Sequence, residues 1–454
     1  MTEQPTAAAP EEGPDPEALM RSRPFLGLLA LAAIVGVIAS LVAWGFLEAI
    51  HEIENGVYDS LPDALGFEST PDWWSLPVLL IAAMIVAAAI ARLPGQGGHI
   101  PVRGLNPTPS EPIELPGVLV AALAGIGLGM VLGPEAPLIA LGGGIGLFTV
   151  RRLARDAPEA GQTLIAMSGL FAAISFLFGS PLVAAVLLIE AAGLDRRRLT
   201  LLLIPGLLAA GIGSLVSTGM GAWTGVDTAS ITISPLQLEH FPRPSFVDFL
   251  WTVPLAAVIA IGAKLIFTVG HRINGSALRR PFVILPLVAL ATSLLAIGFD
   301  LITDKGPEQV LYSGEQALDP LVNGAAGWSL GALALLVAVK GLAYGLALGS
   351  FRGGPVFPAL FLGAAAGIMA AKLPGFDLTP AIAVGMGAAT VAVLRLPLSS
   401  VVLAVVLTAS AGLGPSALII VGVVVSYLVT IRLDGAAAEG AEQAPGPAPA
   451  PAPG

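Results

Sequence analysis

Apolar runs fill most of the chain between residues 24 and 433, and polar residues are confined to short breaks between these runs. A bilayer core of roughly 30 Å takes about 20 helical residues to cross, so the long runs predict membrane-spanning helices. The long runs cover residues 25–50, 76–90, 199–216, 249–269, 282–302, 330–348 and 417–431. This pattern predicts an all-α polytopic membrane protein.

A further apolar run is conspicuously short. Residues 136–150 form a run of 15 residues, which as a helix measures roughly 22 Å. Such a helix does not cross a bilayer alone, and backbone ends exposed to lipid are not tolerated. We therefore expect one of its ends to lie inside the membrane and to be buried in protein.

The short run belongs to an internal repeat. The stretch "GPEAPLIALGGGIG" (133–146) recurs as "GPVFPALFLGAAAG" (354–367), and "GLFAAISFLFGSPL" (169–182) matches "GMGAATVAVLRLPL" (385–398). The two matches keep their order and differ by only five residues in offset, which indicates an ancestral duplication. Paired, broken apolar segments in corresponding halves are typical of transporters that are built from repeats around a midplane site.

The repeat divides the chain into five predicted segments. Residues 25–217 form a first membrane repeat and residues 247–433 a second one, with an extramembrane connection at 218–246. Residues 1–24 and 434–454 are predicted to be disordered tails, because they are rich in Pro, Ala and acidic residues and hold little that could build a core.

Composition agrees with lipid as the surrounding solvent. Of the 454 residues, 55% are hydrophobic and 11% are charged, whereas a soluble domain carries roughly 25% charged residues. The chain has no cysteine, which excludes disulfides, thiolate metal sites and cysteine nucleophiles. The net charge of −10 is partly due to the acidic tails and indicates no nucleic-acid partner.

The charged residues also predict an orientation. The loop at 51–74 holds several acidic residues and no Lys or Arg, so the positive-inside rule places it outside the cell. Both tails are then cytoplasmic, and we expect a multi-pass protein of the cell inner (plasma) membrane. The predicted cytoplasmic arginines are Arg21, Arg23, Arg151, Arg152, Arg155, Arg196, Arg197, Arg198, Arg272, Arg279 and Arg280.

The two Gly-Pro steps of the repeat are candidate helix starts. A helix start has unpaired N–H groups and a partial positive charge, so two facing starts in the membrane would bind an anion. Glu135 follows Gly133-Pro134, and its carboxylate lies where such an anion would sit. We therefore interpret Glu135 as a gate and a possible proton carrier. The alternative is that Glu135 only caps a helix, but Val356 stands at the equivalent position, so the fold does not require a carboxylate.

These segments resemble the CLC chloride channel and transporter family. "LGPEAPLIALGGGIG", "GQGGHIPVRG" (95–104) and "RGGPVFPALFLG" (352–363) are similar to the family's GREGP, GSGIP and GxFxP segments, and "FGSPLVAAVLLIE" and "LRLPLSSVVLAVVLT" are similar to the segments that follow. The resemblance covers about residues 24–432. It implies about 18 helices, many of them short and tilted, in two inverted halves. It also implies a homodimer with one anion path per subunit.

The resemblance assigns roles by position. Glu135 matches the family's gating glutamate. The residues that match its anion-coordinating positions are Gly133, Pro134, Ala136, Gly354, Val356 and Phe357 at the helix starts, and Gly98, His99 and Ile100 in the inner loop.

The chain departs from the family's pattern at several of these positions. Gly98 replaces the serine of GSGIP, Pro134 replaces the arginine of GREGP, and Pro355 has no N–H to donate. The segment that carries the family's coordinating tyrosine is not matched, and Tyr427 is a poor substitute. We therefore expect a weaker or differently selective central site.

Several titratable residues have two interpretations. The family's internal proton glutamate aligns with Ala191, so either the adjacent Glu190 replaces it or the internal proton relay is absent. In the second case Glu190 is a helix-end carboxylate that pairs with Arg196, Arg197 or Arg198. His99 is a pH sensor or an ordinary loop histidine. Lys340, Arg352 and Arg395 attract anions or pair locally. We expect local pairing for Arg395 and anion attraction for Arg352.

The sequence therefore predicts transport of a small inorganic anion, chloride above all, in a channel or in exchange for protons. The alternative is another anion, such as fluoride, nitrate or an organic anion, on the same fold. We expect neither an enzyme nor a cofactor, because the chain has no HExxH and no GxSxG elbow on an apolar helix.

Overall fold

A computed structural model describes residues 20–105, 107–193, 196–225 and 235–442. Within these residues the regular secondary structure is helical, with fifteen α-helices of nine or more residues. The first half contains α1 (Arg23–Asn55), α2 (Ser75–Arg92), α3 (Leu115–Gly127), α4 (Glu135–Leu153), α5 (Glu159–Phe178), α6 (Pro181–Ala192) and α7 (Arg196–Thr224). The second half contains α8 (Phe246–Arg279), α9 (Pro281–Thr303), α10 (Glu315–Asn323), α11 (Leu330–Ser350), α12 (Val356–Ala370), α13 (Leu378–Leu394), α14 (Pro397–Leu407) and α15 (Ser416–Glu442).

The chain contains both long and short apolar helices. The prediction that the run at 136–150 is too short to cross a membrane was wrong, because α4 extends it to 19 residues, Glu135–Leu153. The start of α4 is buried in protein, as expected, with Glu135 1% exposed. Nine helices in the described part of the chain are long and apolar enough to cross a membrane, and α3, α6, α12, α13 and α14 are shorter apolar helices. The helix count is lower than the expected 18. One reason is that loop segments such as Pro94–Gly97 and Pro101–Arg103 are single 3-10 turns. Positive φ angles at Gly95, Gln96 and Gly98 prevent an α-helix there.

The two repeats have equivalent helix ends. Pro181 and Pro397 are the first residues of α6 and α14, where proline's missing N–H has no cost. The preceding helices α5 and α13 end at Gly179 and Arg395, both in the left-handed region with φ near 60°. These pairs occupy aligned positions of the sequence repeat.

Close glycine contacts join two equivalent helices in each half. An added Cβ at Gly142 would lie 2.5 Å from the Gly169 carbonyl oxygen, and one at Gly363 would lie 2.4 Å from that of Gly385. Only glycine therefore allows α4 to pack on α5, and α12 on α13, at this distance. The same packing in both halves agrees with a duplicated chain.

The described helices extend past two of the predicted segment boundaries. Helix α7 continues from the first repeat to Thr224, and α15 continues past 433 to Glu442. Alanine-rich sequence favours helix after Asp434. Asp434 also forms ion pairs with Lys264 at 2.6 Å and Arg395 at 2.7 Å, which agrees with the local pairing expected for Arg395. Residues 1–19, 226–234 and 443–454, which include most of the predicted tails, lie outside the described residues.

Candidate functional site

The two Gly-Pro motifs meet inside the protein. Gly133 donates to the Gly354 carbonyl at 2.8 Å, and Gly354 donates back to the Gly133 carbonyl at 2.5 Å, which forms an isolated antiparallel bridge. Helix α4 starts two residues after the bridge at Glu135, and α12 starts two residues after it at Val356. The starts of one helix from each half are therefore held side by side.

The Glu135 carboxylate lies over this bridge. Its Oε1 accepts a hydrogen bond of 2.9 Å from the Phe357 N–H at the start of α12. An added Cβ would lie 2.4 Å from Oε2 at Gly133 and 1.5 Å from it at Gly354, so both glycines provide space for the carboxylate. Glu135 is 1% exposed, and its Oε2 has no hydrogen-bond partner in the structure. The carboxylate of one half therefore occupies the helix start of the other half, where partial positive charge favours an anion.

The structure separates the predicted anion donors into two groups. The N–H groups of Gly133 and Gly354 are used in the bridge, and Pro134 has no N–H. Val356 and Phe357 are 0% and 1% exposed, and the Phe357 amide already binds a carboxylate oxygen. The start of α12 is therefore better supported as an anion-binding site than the start of α4.

Tyr344 is a site residue that the sequence reasoning missed. It is fully buried on α11, and its hydroxyl donates to the Pro355 carbonyl at 2.6 Å. This bond fixes the turn that leads into α12. Tyrosine is rare in the chain, with four in all, and its position in an apolar helix eleven residues before the Gly-Pro step was the available signal.

Two cavities lie next to the residues that flank Glu135. We name them the Glu315 cavity and the His99 cavity. The Glu315 cavity has a volume of about 270 Å³, and its lining includes Pro134, Glu54, Tyr312 and Glu315. The His99 cavity has a volume of about 240 Å³, and its lining includes Ala136, Ile139, Gly98 and His99. Since one cavity contacts the residue before Glu135 and the other the residue after it, Glu135 lies between them.

The predicted inner loop forms part of the His99 cavity. Gly95, Gln96, Gly97 and Gly98 all have positive φ, between 51° and 96°, a conformation that glycine adopts without strain. His99 contacts the Gly104 carbonyl through Nε2. Burial is the largest cause that lowers the pKa of His99, and the nearby charges of Arg352 and Arg103 lower it further. His99 is therefore held neutral at pH 7. The third predicted residue of this loop, Ile100, is 8% exposed.

Glu190 occupies a helix start in the opposite half. Its Oε1 accepts from the Leu398 N–H at 3.0 Å, and its Oε2 accepts from the Ser399 N–H at 2.7 Å and the Ser399 hydroxyl at 2.6 Å. Glu190 thus caps α14, an interaction that neither sequence interpretation included. The side chains of Arg196, Arg197 and Arg198 lie outside the described residues.

The two buried cations have different surroundings. The Lys340 ammonium is fully buried and lies within 3.3 Å of four carbonyl oxygens, at residues 309–312, with the Phe361 ring 4.5 Å away. Lys340 thus pairs locally, which was one of its two interpretations. Arg352 is 2% exposed, and its Nη2 has no hydrogen-bond partner in the structure.

Glu315 is a second residue that the sequence reasoning missed. It is the first residue of α10 and is half-buried in the lining of the Glu315 cavity. Burial is the largest cause that raises the pKa of Glu315 to about 8, and the charges of Glu135 and Glu54 raise it further. Glu315 is therefore mostly protonated at pH 7.

Fold and site together define a polytopic membrane protein in which two repeats meet at a buried carboxylate. Residues 103–430 match the model of the family described as voltage gated chloride channel. The chain therefore belongs to this family, the CLC family that its motifs resemble. Similar proteins from Salmonella schwarzengrund (strain CVM19633) and Salmonella newport (strain SL254) carry the name of an ion-transport protein, YfeO. Each is 29% identical over 364 residues, which cover 77% of this chain and 81% of the relative.

Solved structures share the fold. A slow cyanobacterial Cl⁻/H⁺ antiporter is similar with a TM-score of 0.70 and 20% identity, over 90% of this chain and 95% of that one. A CLC-type fluoride/proton antiporter is similar with a TM-score of 0.62 and 17% identity, over 89% and 95% of the two chains. A eukaryotic CLC transporter has a TM-score of 0.64 and 16% identity, over 90% and 72%. At these identities the likeness establishes the fold, a CLC-like inverted repeat.

Proposed function

We propose that this protein transports a small inorganic anion, chloride above all, along a path that Glu135 controls. The observation that carries the proposal is the 2.9 Å hydrogen bond from the Phe357 N–H to the Glu135 carboxylate. A carboxylate is itself an anion, and it occupies a buried helix start that would otherwise bind one. Two proteins of similar structure, a Cl⁻/H⁺ antiporter and a CLC-type fluoride/proton antiporter, support the same class of substrate.

The geometry suggests how the path opens. While Glu135 is ionised, its carboxylate stays on the α12 start and separates the Glu315 cavity from the His99 cavity. When the carboxylate is protonated, or when a permeant anion competes for the same amide, the side chain leaves and the two cavities connect. The peptide N–H groups at the start of α12 then hold the permeant anion without the desolvation cost of a nearby full charge.

A different anion, fluoride or nitrate for example, is the second candidate. Two observations favour it. Gly98 offers no side-chain hydroxyl at the inner loop, and the Tyr344 hydroxyl is already bonded to the Pro355 carbonyl. We also propose that the protein is a homodimer in the cell inner membrane, with both tails cytoplasmic and no cofactor.

Chloride efflux from liposomes that hold the purified protein tests the proposal, with external pH recorded during the efflux. We expect wild-type protein to release chloride. In Glu135→Gln, which cannot ionise, we expect transport to lose any proton movement. Glu111→Gln is a matched control, because Glu111 is an exposed carboxylate that pairs with Arg151 away from the site.

The outcomes separate the possibilities. Chloride efflux that drives protons the other way establishes an exchanger, and efflux without proton movement establishes a passive channel. If folded wild-type protein releases no chloride but releases fluoride or nitrate, the second candidate replaces the first. If it releases none of these anions, the proposed function is wrong.

A further inference from the structure

Arg352 is a buried cation that lacks a counter-ion. It lies two residues before Gly354 of the bridge and is 2% exposed. Among the described residues, ion pairs join Arg151 with Glu111, and Asp434 with Lys264 and Arg395. Arg352 forms no such pair with a described carboxylate. A buried charge without a partner is costly in a protein. A positive charge at this position therefore indicates a role that requires it.

The guanidinium uses part of its donor capacity to hold the inner loop. Its Nε donates to the Gln96 carbonyl at 3.1 Å, and its Nη1 donates to the carbonyls of Phe351 at 3.1 Å and Ser350 at 3.3 Å. These bonds connect the loop at Gly95–Ile100 with the segment that enters the bridge. The second terminal nitrogen, Nη2, is buried and has no acceptor. Arginine has five N–H donors, so its free donors point to a missing acceptor.

The Arg352 side chain packs against the loop that lines the His99 cavity, and Arg352 itself is not among the lining residues. An added Cβ at Gly97 would be 3.5 Å from the Arg352 Cγ, and the neighbouring Gly98 and His99 line the cavity. Arg352 and Arg103 are the cations whose fields reach His99, and Glu114 is the carboxylate in the cavity lining. His99 itself is neutral at pH 7, so Arg352 is the buried positive charge on this side of Glu135.

We propose that Arg352 binds the transported anion at the His99 cavity, where its free Nη2 supplies the donor that the inner loop lacks at Gly98. The inference rests on the proposed function and adds to it a specificity-determining residue. The ligand is a small monovalent anion such as a halide or nitrate. A charged donor binds an anion more strongly than a hydroxyl does, and the guanidinium's planar fork also suits the planar nitrate ion.

The test measures anion binding and fold stability on the same samples. The probe is sodium chloride, with sodium nitrate in parallel, and the readouts are calorimetric affinity and the rise in Tm with added anion. We expect Arg352→Gln to lose roughly tenfold or more in chloride affinity and to lose the anion-dependent rise in Tm. Arg103→Gln is the matched control, because Arg103 is an exposed arginine near the same loop, and we expect a small, salt-screened effect there.

Three results would overturn the inference. The first is an unchanged chloride affinity in Arg352→Gln. The second is a lower Tm in Arg352→Gln that still rises with added anion, because Arg352 would then only stabilise the fold. If Arg352→Gln does not fold, Arg352→Lys keeps the charge with a different donor geometry. Wild-type affinity and wild-type chloride-to-nitrate preference in that variant would count equally against the inference. Wild-type protein that neither binds nor transports any anion would instead overturn the proposed function, and the inference with it.

Discussion

Glu135 and Glu315 are two carboxylates near the same pair of helix starts, but their surroundings differ. Glu135 has an N–H donor from α12 on one oxygen and is almost fully buried. Glu315 is half-buried, lines an open cavity, and has the carboxylates of Glu135 and Glu54 as its electrostatic neighbours. Like charges disfavour a second ionised carboxylate. The two residues are therefore expected to differ in function, with Glu315 adjusting the charge of the cavity that anions enter.

The raised pKa of Glu315 predicts a pH dependence on one side of the membrane. Below about pH 8 the side chain is protonated and neutral, and above that pH it ionises and adds a negative charge to the cavity. We expect anion uptake from the Glu315 side to fall several-fold as the pH on that side rises through 8. Anion flux measured at a series of pH values tests this prediction. The decrease in flux near pH 8 should be absent in Glu315→Gln. Glu308→Gln, another carboxylate of the same cavity, should retain it, and an alkaline step that persists in Glu315→Gln would contradict the assignment.

The position of a site residue could be predicted from the sequence where a motif carried it. Glu135 was found because its neighbours are a Gly-Pro step that recurs in the second half, where Val356 takes its place. Glu315 and Tyr344 belong to no repeated motif, and their interactions join distant parts of the chain, such as the electrostatic effect of Glu54 on Glu315. The cap that Glu190 forms on Ser399 joins residues 209 positions apart. A single sequence does not reveal contacts of that kind.

The helix pairs α4–α5 and α12–α13 are packed through the same kind of glycine contact. Gly142 meets Gly169 in the first half, and Gly363 meets Gly385 in the second. Because glycine lets helix backbones touch, the starts of α4 and α12 are held by contacts within each half as well as by the bridge. The repeat alignment places these four glycines in register, so this part of the fold could be predicted. Which glycines contact each other could not be predicted, because the alignment relates the two halves and does not show which helices are in contact.

Alanine at one of these glycines should separate the helices. The added Cβ of Gly363→Ala would lie 2.4 Å from a carbonyl oxygen, and overpacking of this kind costs about 1–3 kcal/mol. We expect a lower Tm in detergent and slower anion flux, because α12 carries the Phe357 amide. Gly262→Ala is the control, since a Cβ there meets nothing within 4 Å and alanine favours helix. Equal Tm values for the two variants would mean that the close contact does not stabilise the fold.

At the scale of the whole molecule, carboxylates of the first half join the two halves by accepting hydrogen bonds from N–H groups at helix starts of the second half. Glu135 of the first half binds the start of α12, and Glu190 of the first half caps α14. Both acceptors are carboxylates at helix starts, which is the favourable end of the helix dipole. The halves therefore meet through directional contacts as well as through apolar packing, and the proposed transport path lies at one of these contacts.

The absence of cysteine makes the orientation of the whole chain directly testable. If the positive-inside rule holds here, the acidic loop at 51–74 is external and the arginine-rich end of α4 is cytoplasmic. Ser69 and Asp156 are exposed residues of these two regions, so Ser69→Cys and Asp156→Cys each introduce a single thiol into a chain that otherwise has none. In intact cells, we expect a membrane-impermeant thiol reagent to label the first variant and to label the second only after the cells are opened. Wild-type protein should remain unlabelled throughout. The reverse pattern would invert the topology. It would also place the Glu315 cavity on the cytoplasmic side, because its lining includes Glu54, which lies in the predicted loop and at the end of α1 (Arg23–Asn55).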